Sequence, residues 1–250
     1  MKIIVVSLPD ALKRRERINQ QLNELGLEFE FLDAVRGTVA MYQEPEYQGR
    51  WRHKYWGTDL TPGEIGCYKS HRLACMRAIA LNQPILVLED DLLIKPELKD
   101  FLSKLDNEIN ALGFDILRIS GLFPKPYYKI QDGGFQFVRY LKHPHGTQGY
   151  IITPSAAKKY VEYLTNIYIP IDDAMDNDFQ HKLAIYGYLP YLVEHDWDIG
   201  SNIGQRGKIK VSVMVKCNKQ LLRSWWSFKR GLFNLKNYLQ DKYILRRVIK

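Results

Sequence analysis

Apolar residues run unbroken through Ile3-Ile4-Val5-Val6, a β-branched stretch without alternation that predicts a strand over residues 2–7 buried on both faces. Leu8-Pro9-Asp10 breaks it, and amphipathic spacing then predicts a helix over residues 11–25, stopped at Gly26. A second strand over residues 27–32 completes a β-α-β opening. Residues 36–58 are rich in Gly, Tyr and Trp but have no clear period. They read as a long loop able to close over a ligand. Thr61-Pro62-Gly63-Glu64 is a helix start in which Thr61 caps, Pro62 fits the first turn and Glu64 completes a capping box. That helix is expected to reach about residue 81. The fully apolar Ile85-Leu86-Val87-Leu88 follows, again a strand covered on both faces. Further apolar runs lie at residues 116–119, 150–153 and 188–193, with helices opening at Thr153-Pro154 and near Asp172. The expectation is one α/β domain over residues 1–215, with a mainly parallel sheet flanked by helices.

Beyond residue 215 the period changes. Leu221, Trp225, Phe228, Leu232, Leu235 and Leu239 repeat at intervals of four and three, with Lys219, Arg223, Lys229, Arg230 and Lys236 around them. Of the net charge of +8, +9 belongs to residues 216–250 (ten Lys and Arg against Asp241) and −1 to the rest. The basic character is therefore a property of this helical tail. A basic amphipathic helix bearing Trp and Phe suits an anionic membrane surface. The same stripe also suits packing on the domain or a dimer contact. No nucleic-acid motif accompanies the charge, and nucleic acid is not an expected partner.

Cys67, Cys75 and Cys217 show no CxxC spacing, against both a zinc knuckle and a disulfide framework. The first apolar run is too short for a signal peptide or a membrane span, so a cytoplasmic setting is expected.

Glu89-Asp90-Asp91 stands directly after the apolar strand, where open α/β sheets place ligands. Three adjacent carboxylates repel unless a cation or a donor network compensates. Mn²⁺ or Mg²⁺ bridging carboxylates to phosphates would do so, and so would a helix start. Arg14, Arg15 and Arg17 follow the first strand, within reach of phosphates or on a solvated helix face.

Residues 60–71, Leu-Thr-Pro-Gly-Glu-Ile-Gly-Cys-Tyr-Lys-Ser-His, followed by Leu88-Glu89-Asp90-Asp91, resemble glycosyltransferase family 25. That family comprises bacterial lipooligosaccharide galactosyltransferases and animal collagen galactosyltransferases. The Arg14–Arg17 segment, Gly149-Tyr150-Ile151-Ile152 with Ala156 and Ala157, Pro170-Ile171-Asp172-Asp173 and Ser201-Asn202-Ile203 extend the resemblance across residues 2–205. Ser7 departs from it, since the family more often has Asn there. The resemblance implies a GT-A-type nucleotide-sugar fold and an inverting transfer, usually of galactose from UDP-galactose, to a glycan such as lipooligosaccharide.

It further implies metal ligation by Asp91, by His195 in Val193-Glu194-His195-Asp196, and by Glu89 as a second ligand or a ribose contact. The base that takes the acceptor proton is Asp172 or Asp173, residues equally suited to capping the helix that starts there. Donor contacts are expected from Arg14, Ser70, His71, Glu89, Asp90, Thr147 and Gln148, although helical spacing alone makes His71 an interior residue. The rival readings are a metal-dependent phosphoester hydrolase or nucleotidyltransferase, and a non-catalytic carbohydrate adaptor at a membrane. No Walker loop is present, and no GxGxxG follows the first strand, which disfavours ATP-driven and nicotinamide chemistry.

Overall fold

The structure, a computed structural model, describes residues 1–132, 134–198 and 210–248, the last six as backbone only. The Ser201-Asn202-Ile203 signature lies outside the described residues. The chain opens as predicted: β1 (Lys2–Ser7), α1 (Leu12–Glu24) and β2 (Phe29–Asp33), with β1 and β2 parallel. Residues 36–58 are not the open loop expected. They hold a 3-10 turn over Val39–Gln43 and a helix, α2 (Gly49–Trp56), closed by Gly57 at φ 74°. Trp51, Trp56 and Tyr168 pack together there. Aromatic packing against distant residues leaves no local period to read.

Helix α3 (Pro62–Leu81) starts on the predicted capping box, with Thr61 Oγ1 accepting from Glu64 N and Glu64 accepting from Thr61 N. Strand β3 (Ile85–Glu89) follows, then β4 (Leu92–Ile94), α4 (Glu97–Glu108) and β5 (Ile116–Arg118). A hairpin, β6 (Tyr127–Asp132) with β7 (Phe135–Tyr140), leads to β8 (Gly149–Ile152). Next come α5 (Pro154–Tyr163), α6 (Ile171–Met175), α7 (Asp178–His181), β9 (Ile185–Gly187), β10 (Val193–His195) and α8 (Val213–Val248).

Eight strands form one sheet in the order β2-β1-β3-β8-β5-β9-β7-β6, and β4 pairs with β10 apart from it. The α/β class holds, but the sheet is mixed rather than mainly parallel. β3 and β5 each pair antiparallel with β8, and the β6–β7 hairpin adds an antiparallel edge. An apolar strand reports burial on both faces, not the direction of its neighbours.

Alternation along β1 and β3 builds two cores. Ile4, Val6, Ile85 and Val87 face α3 and α5, whereas Ile3, Val5, Leu86 and Leu88 face α1 and α4. The strand order reverses between β1 and β3, which flank each other while β2 lies on β1's far side. Their carboxyl ends therefore open a crevice at a switch point, and Ser7 and Glu89 stand at its mouth.

Candidate active site

Two adjoining recesses hold nearly all the predicted site residues. One, of about 200 Å³ at the ends of β1 and β3, is lined by Arg14, Ser70, His71, Glu89, Asp90 and Asp91. The other, of about 310 Å³, is lined by Glu89, Thr147, Gln148, Asp172 and Asp173. Glu89 and Cys67 line both. The strand-end carboxylates and the α6 carboxylates thus face one continuous cleft.

The acidic run is held by a donor network. Arg14 from α1 donates to Asp90 Oδ1 at 2.8 Å and Asp91 Oδ2 at 3.3 Å. Ser7 Oγ donates to Asp90 Oδ2 at 2.6 Å, so the residue that departs from the family pattern fixes this carboxylate. Thr147 Oγ1 donates to Glu89 Oε1 at 2.7 Å, and His71 Nε2 stands 3.4 Å from the same oxygen. The other His71 nitrogen, Nδ1, pairs with Tyr150 Oη at 3.0 Å, so the buried imidazole bridges the sheet to Glu89. Burial alone would raise the Glu89 carboxyl. The nearby His71 imidazole and the Thr147 hydrogen bond outweigh it and hold the group below its ordinary range. Burial and the Glu89 charge push Asp91 the other way, up to about 7, against the pull of Arg14. Neighbouring carboxylates with opposed shifts belong more often to a working site than to a solvated helix start.

Ser70 lines the cleft, but its hydroxyl donates to Gly66 O at 2.7 Å and accepts from Val35 N at 2.8 Å. It fixes the cleft wall. Gly66 permits that approach, because a Cβ there would lie 2.5 Å from Val35 O. Burial, then the charges of Glu89 and Asp172, raise the Cys67 thiol well above its ordinary value, so it is no thiolate nucleophile.

His195 reaches the acidic run through the β4–β10 pair, in which it sits opposite Leu92 and Asp196 N donates to Asp91 O. His195 Nδ1 and Asp91 Oδ1 face each other at 3.7 Å, both buried and without a hydrogen-bond partner. Two buried, unsatisfied ligand-type atoms at that spacing, one O and one N, fit a hard divalent ion such as Mn²⁺ or Mg²⁺. Among the described residues, two other sets bring their ligand atoms within 4.8 Å of one another: Cys67, His71 and Glu89, and His145, Asp172 and Asp173.

Asp172 and Asp173 occupy the first turn of α6, and the residue at its N-cap is Pro170. Burial, with Asp176 next, raises Asp172. Burial, then Asp172 and Asp176, raises Asp173 to about 7, with Arg52 and Arg230 pulling it down. His145 Nδ1 stands 3.6 Å from Asp173 and 3.4 Å from Asp176. The buried Arg118 ties this group together, donating to Asp176 Oδ1 at 2.5 Å and to His145 O at 2.8 Å. Sequence reasoning missed His145, Asp176 and Arg118. Pro144-His145-Gly146, adjoining Thr147, was a usable turn signal for the first. Nothing local marked Arg118, which reads as one polar residue after a short apolar run.

A strand-end cleft with an acidic run, a bridging arginine and a second carboxylate pair marks an α/β protein with a candidate active site at its switch point. The chain belongs to glycosyltransferase family 25: the profile described as "Glycosyltransferase family 25 (LPS biosynthesis protein)" matches residues 1–175. The lipooligosaccharide biosynthesis protein lic2B of Haemophilus influenzae is 26% identical over 195 residues, 71% of this chain and 70% of that protein. Procollagen galactosyltransferase 1-B of Xenopus laevis is 32% identical over 199 residues, 74% of this chain and 32% of that protein. The chain thus spans about a third of the animal relatives it matches, and 28% of a family member from Aedes aegypti. Proteins named as inactive members fall in the same family, so membership alone does not carry turnover. Among solved structures, a glycosyltransferase involved in glycosylation of the major capsid of PBCV-1 aligns at TM-score 0.42 and 11% identity, covering 80% of this chain and 93% of that one.

Proposed function

We propose that this chain is an inverting galactosyltransferase, taking galactose from UDP-galactose to a saccharide acceptor of bacterial lipooligosaccharide with help from a divalent ion. The observation that carries the reading is the shared cleft, which sets Glu89, Thr147 and Gln148 opposite Asp172 and Asp173 within one recess. Donor and acceptor chemistry need that adjacency. The acceptor hydroxyl attacks the anomeric carbon as the bond to the diphosphate breaks, and the hydroxyl proton passes to a carboxylate. Asp173 is the better placed of the pair: it faces the wider groove as well as the recess. Its raised value, about 7, suits a base that must accept a proton near neutral pH.

Asp91 and His195 would hold the divalent ion, which when bound supplies charge neutralisation for the departing diphosphate. Arg14 fixes Asp90 and Asp91. His71 and Thr147 keep Glu89 ionised, as a second ligand or as acceptor for a ribose hydroxyl.

A peripheral place on the cytoplasmic face of the inner membrane belongs to the same reading, and α8 supports it. No helix among the described residues is long and apolar enough to cross a membrane. Leu221, Trp225, Phe228, Leu232, Leu235 and Leu239 nevertheless stand in one stripe, each at least 52% exposed. Lysines border that stripe, and Lys229 lies over the Trp225 ring.

The deciding assay is donor turnover over a panel of nucleotide sugars with Mn²⁺, Mg²⁺ or chelator, reading nucleoside diphosphate and the new glycosidic bond. Metal-dependent turnover of UDP-galactose is the expected result. Another UDP-sugar would change the donor and keep the mechanism. Turnover of none, with acceptor saccharides present, would sink the transferase reading. Release of phosphate or pyrophosphate without a glycosidic product would favour phosphoester or nucleotidyl chemistry instead.

A further inference from the structure

Beyond the cleft lies a larger groove of about 520 Å³ between α8 and the core, within the size range of ligand clefts, roughly 300–1,000 Å³. It meets the cleft at Asp173, which lines both. The order along the surface is therefore strand-end carboxylates, then Asp172 and Asp173, then the groove. A nucleotide sugar held at the strand ends would direct its sugar to the aspartates, and the groove is where a second substrate must lie.

The lining indicates what that substrate carries. Trp56 and Trp226, packed on Trp51 and against each other, form an apolar wall on one side of the groove. Lys142, Arg223 and Arg230 supply positive charge, and the Asp176 charge beside them is already met by Arg118. Arg223 and Lys142 are exposed and form no ion pair among the described residues. Beside the groove, Arg230 Nε is buried and has no hydrogen-bond partner among the described residues. Arg230 is itself held in place through its Nη2, which donates to Asp176 O and Asn177 Oδ1. Exposed positive charge without a carboxylate partner calls for anionic oxygens, and guanidinium groups match phosphate and carboxylate geometry.

We propose that this groove is the acceptor subsite and selects a saccharide bearing a phosphate or carboxylate on or next to the acceptor sugar. The assignment rests on the transferase reading and adds the acceptor's charge class to it. On this view α8 is a wall of the substrate site as well as a surface helix.

The test uses the full chain, its preferred nucleotide sugar, and three acceptors sharing one disaccharide: neutral, phosphorylated and carboxylated. The wild type is expected to favour an anionic acceptor by about tenfold or more in kcat/KM, the scale of a hydrogen bond to a charged group. Which anion is preferred identifies the source of the charge. In Lys142→Gln/Arg223→Gln that preference should fall toward one, through KM for the anionic acceptor. Both side chains are exposed, so the fold should tolerate the change, and matching thermal unfolding would verify this. Equal kcat/KM for neutral and anionic acceptors in the wild type would overturn the proposal while leaving the transferase reading intact. So would a preference that survives the double variant. Failure to turn over any nucleotide sugar would overturn both together.

Discussion

The donor end of the cleft and the groove beneath α8 are both charged, yet they are built differently. At the donor end, charged groups are tied to protein partners: Arg14 to Asp90 and Asp91, Ser7 to Asp90, Thr147 and His71 to Glu89. Asp91 Oδ1, His195 Nδ1 and His71 Nε2 are buried there without a hydrogen-bond partner among the described residues. In the groove the cations outnumber the carboxylates, and Lys142 and Arg223 are exposed without an ion pair among the described residues. Carboxylates already tied to protein donors hold their geometry before the ligand arrives, which suits a fixed leaving group. Unpaired exposed cations leave the selective contacts for the ligand to complete, which suits recognition of a second substrate.

Breaking the junction of the two regions should have the largest effect. Asp173→Asn removes the group they share, and loss of a general base costs typically 10²- to 10⁴-fold in kcat. UDP-galactose binding, read by calorimetry, should change little. If Asp172→Asn shows the large kcat loss and Asp173→Asn does not, the base is the residue facing the recess alone. At the donor end, Asp91→Asn should weaken Mn²⁺ dependence by about ten- to hundredfold in the metal concentration required. Full activity of that variant at limiting Mn²⁺ would rule out the Asp91–His195 site.

The two regions also differ in how far the sequence announced them. The capping box at Thr61–Glu64 and the carboxylates after Ile85-Leu86-Val87-Leu88 are contiguous signals, and both stand where those signals put them. The class of fold was equally legible, because α1, α3 and the first strands follow from local period. Strand direction was not, since β8 enters between β3 and β5 from more than thirty residues downstream of β5. His195 becomes a neighbour of Asp91 only through pairing across about a hundred residues. The groove was least visible. Arg223 and Trp226 on α8 meet Lys142 and Asp173 by tertiary docking, and no spacing encodes that.

The tail shows why. Its visible heptad stripe is the face turned outward. The docking face is a second stripe, Trp226, Arg230, Phe233, Asn237 and Asp241, that mixes aromatic with polar residues. It is fixed by Trp226 against Trp51 and Phe179 and by Asp241 against Arg139 and Tyr128. A polar docking face has no hydrophobic period of its own, so periodicity showed only the outward stripe and left the docking face unseen.

The pH dependence sharpens the comparison further. Asp173 titrates at about 7 in the fold against 3.8 ordinarily, so between roughly pH 4 and 7 the folded chain keeps a proton that the unfolded chain has lost. Its contribution to stability is therefore greatest in acid and declines as pH rises toward 7. Activity must run the opposite way, because the base works only when ionised. We expect kcat to rise about tenfold per pH unit below 7, then level off. Asp172, Asp176 and His145 face the same carboxyl together with Arg52 and Arg230, so the midpoint should move when His145 is replaced by Asn.

The smallest effect should come from the outer face of α8, and it separates that face from the inner one. Lys229→Gln should lower binding to vesicles containing anionic lipid by about fivefold, near 1 kcal/mol per basic residue, and leave neutral vesicles unaffected. Leu235→Ser should weaken both, because it removes apolar area rather than charge. Neither change touches the groove lining, so transfer to a water-soluble anionic acceptor should proceed at the wild-type rate. A helix that served only to pack on the domain would show no vesicle binding to lose. A helix whose two faces act independently would lose binding in these variants and acceptor selectivity in the groove variants, with neither defect appearing in the other set.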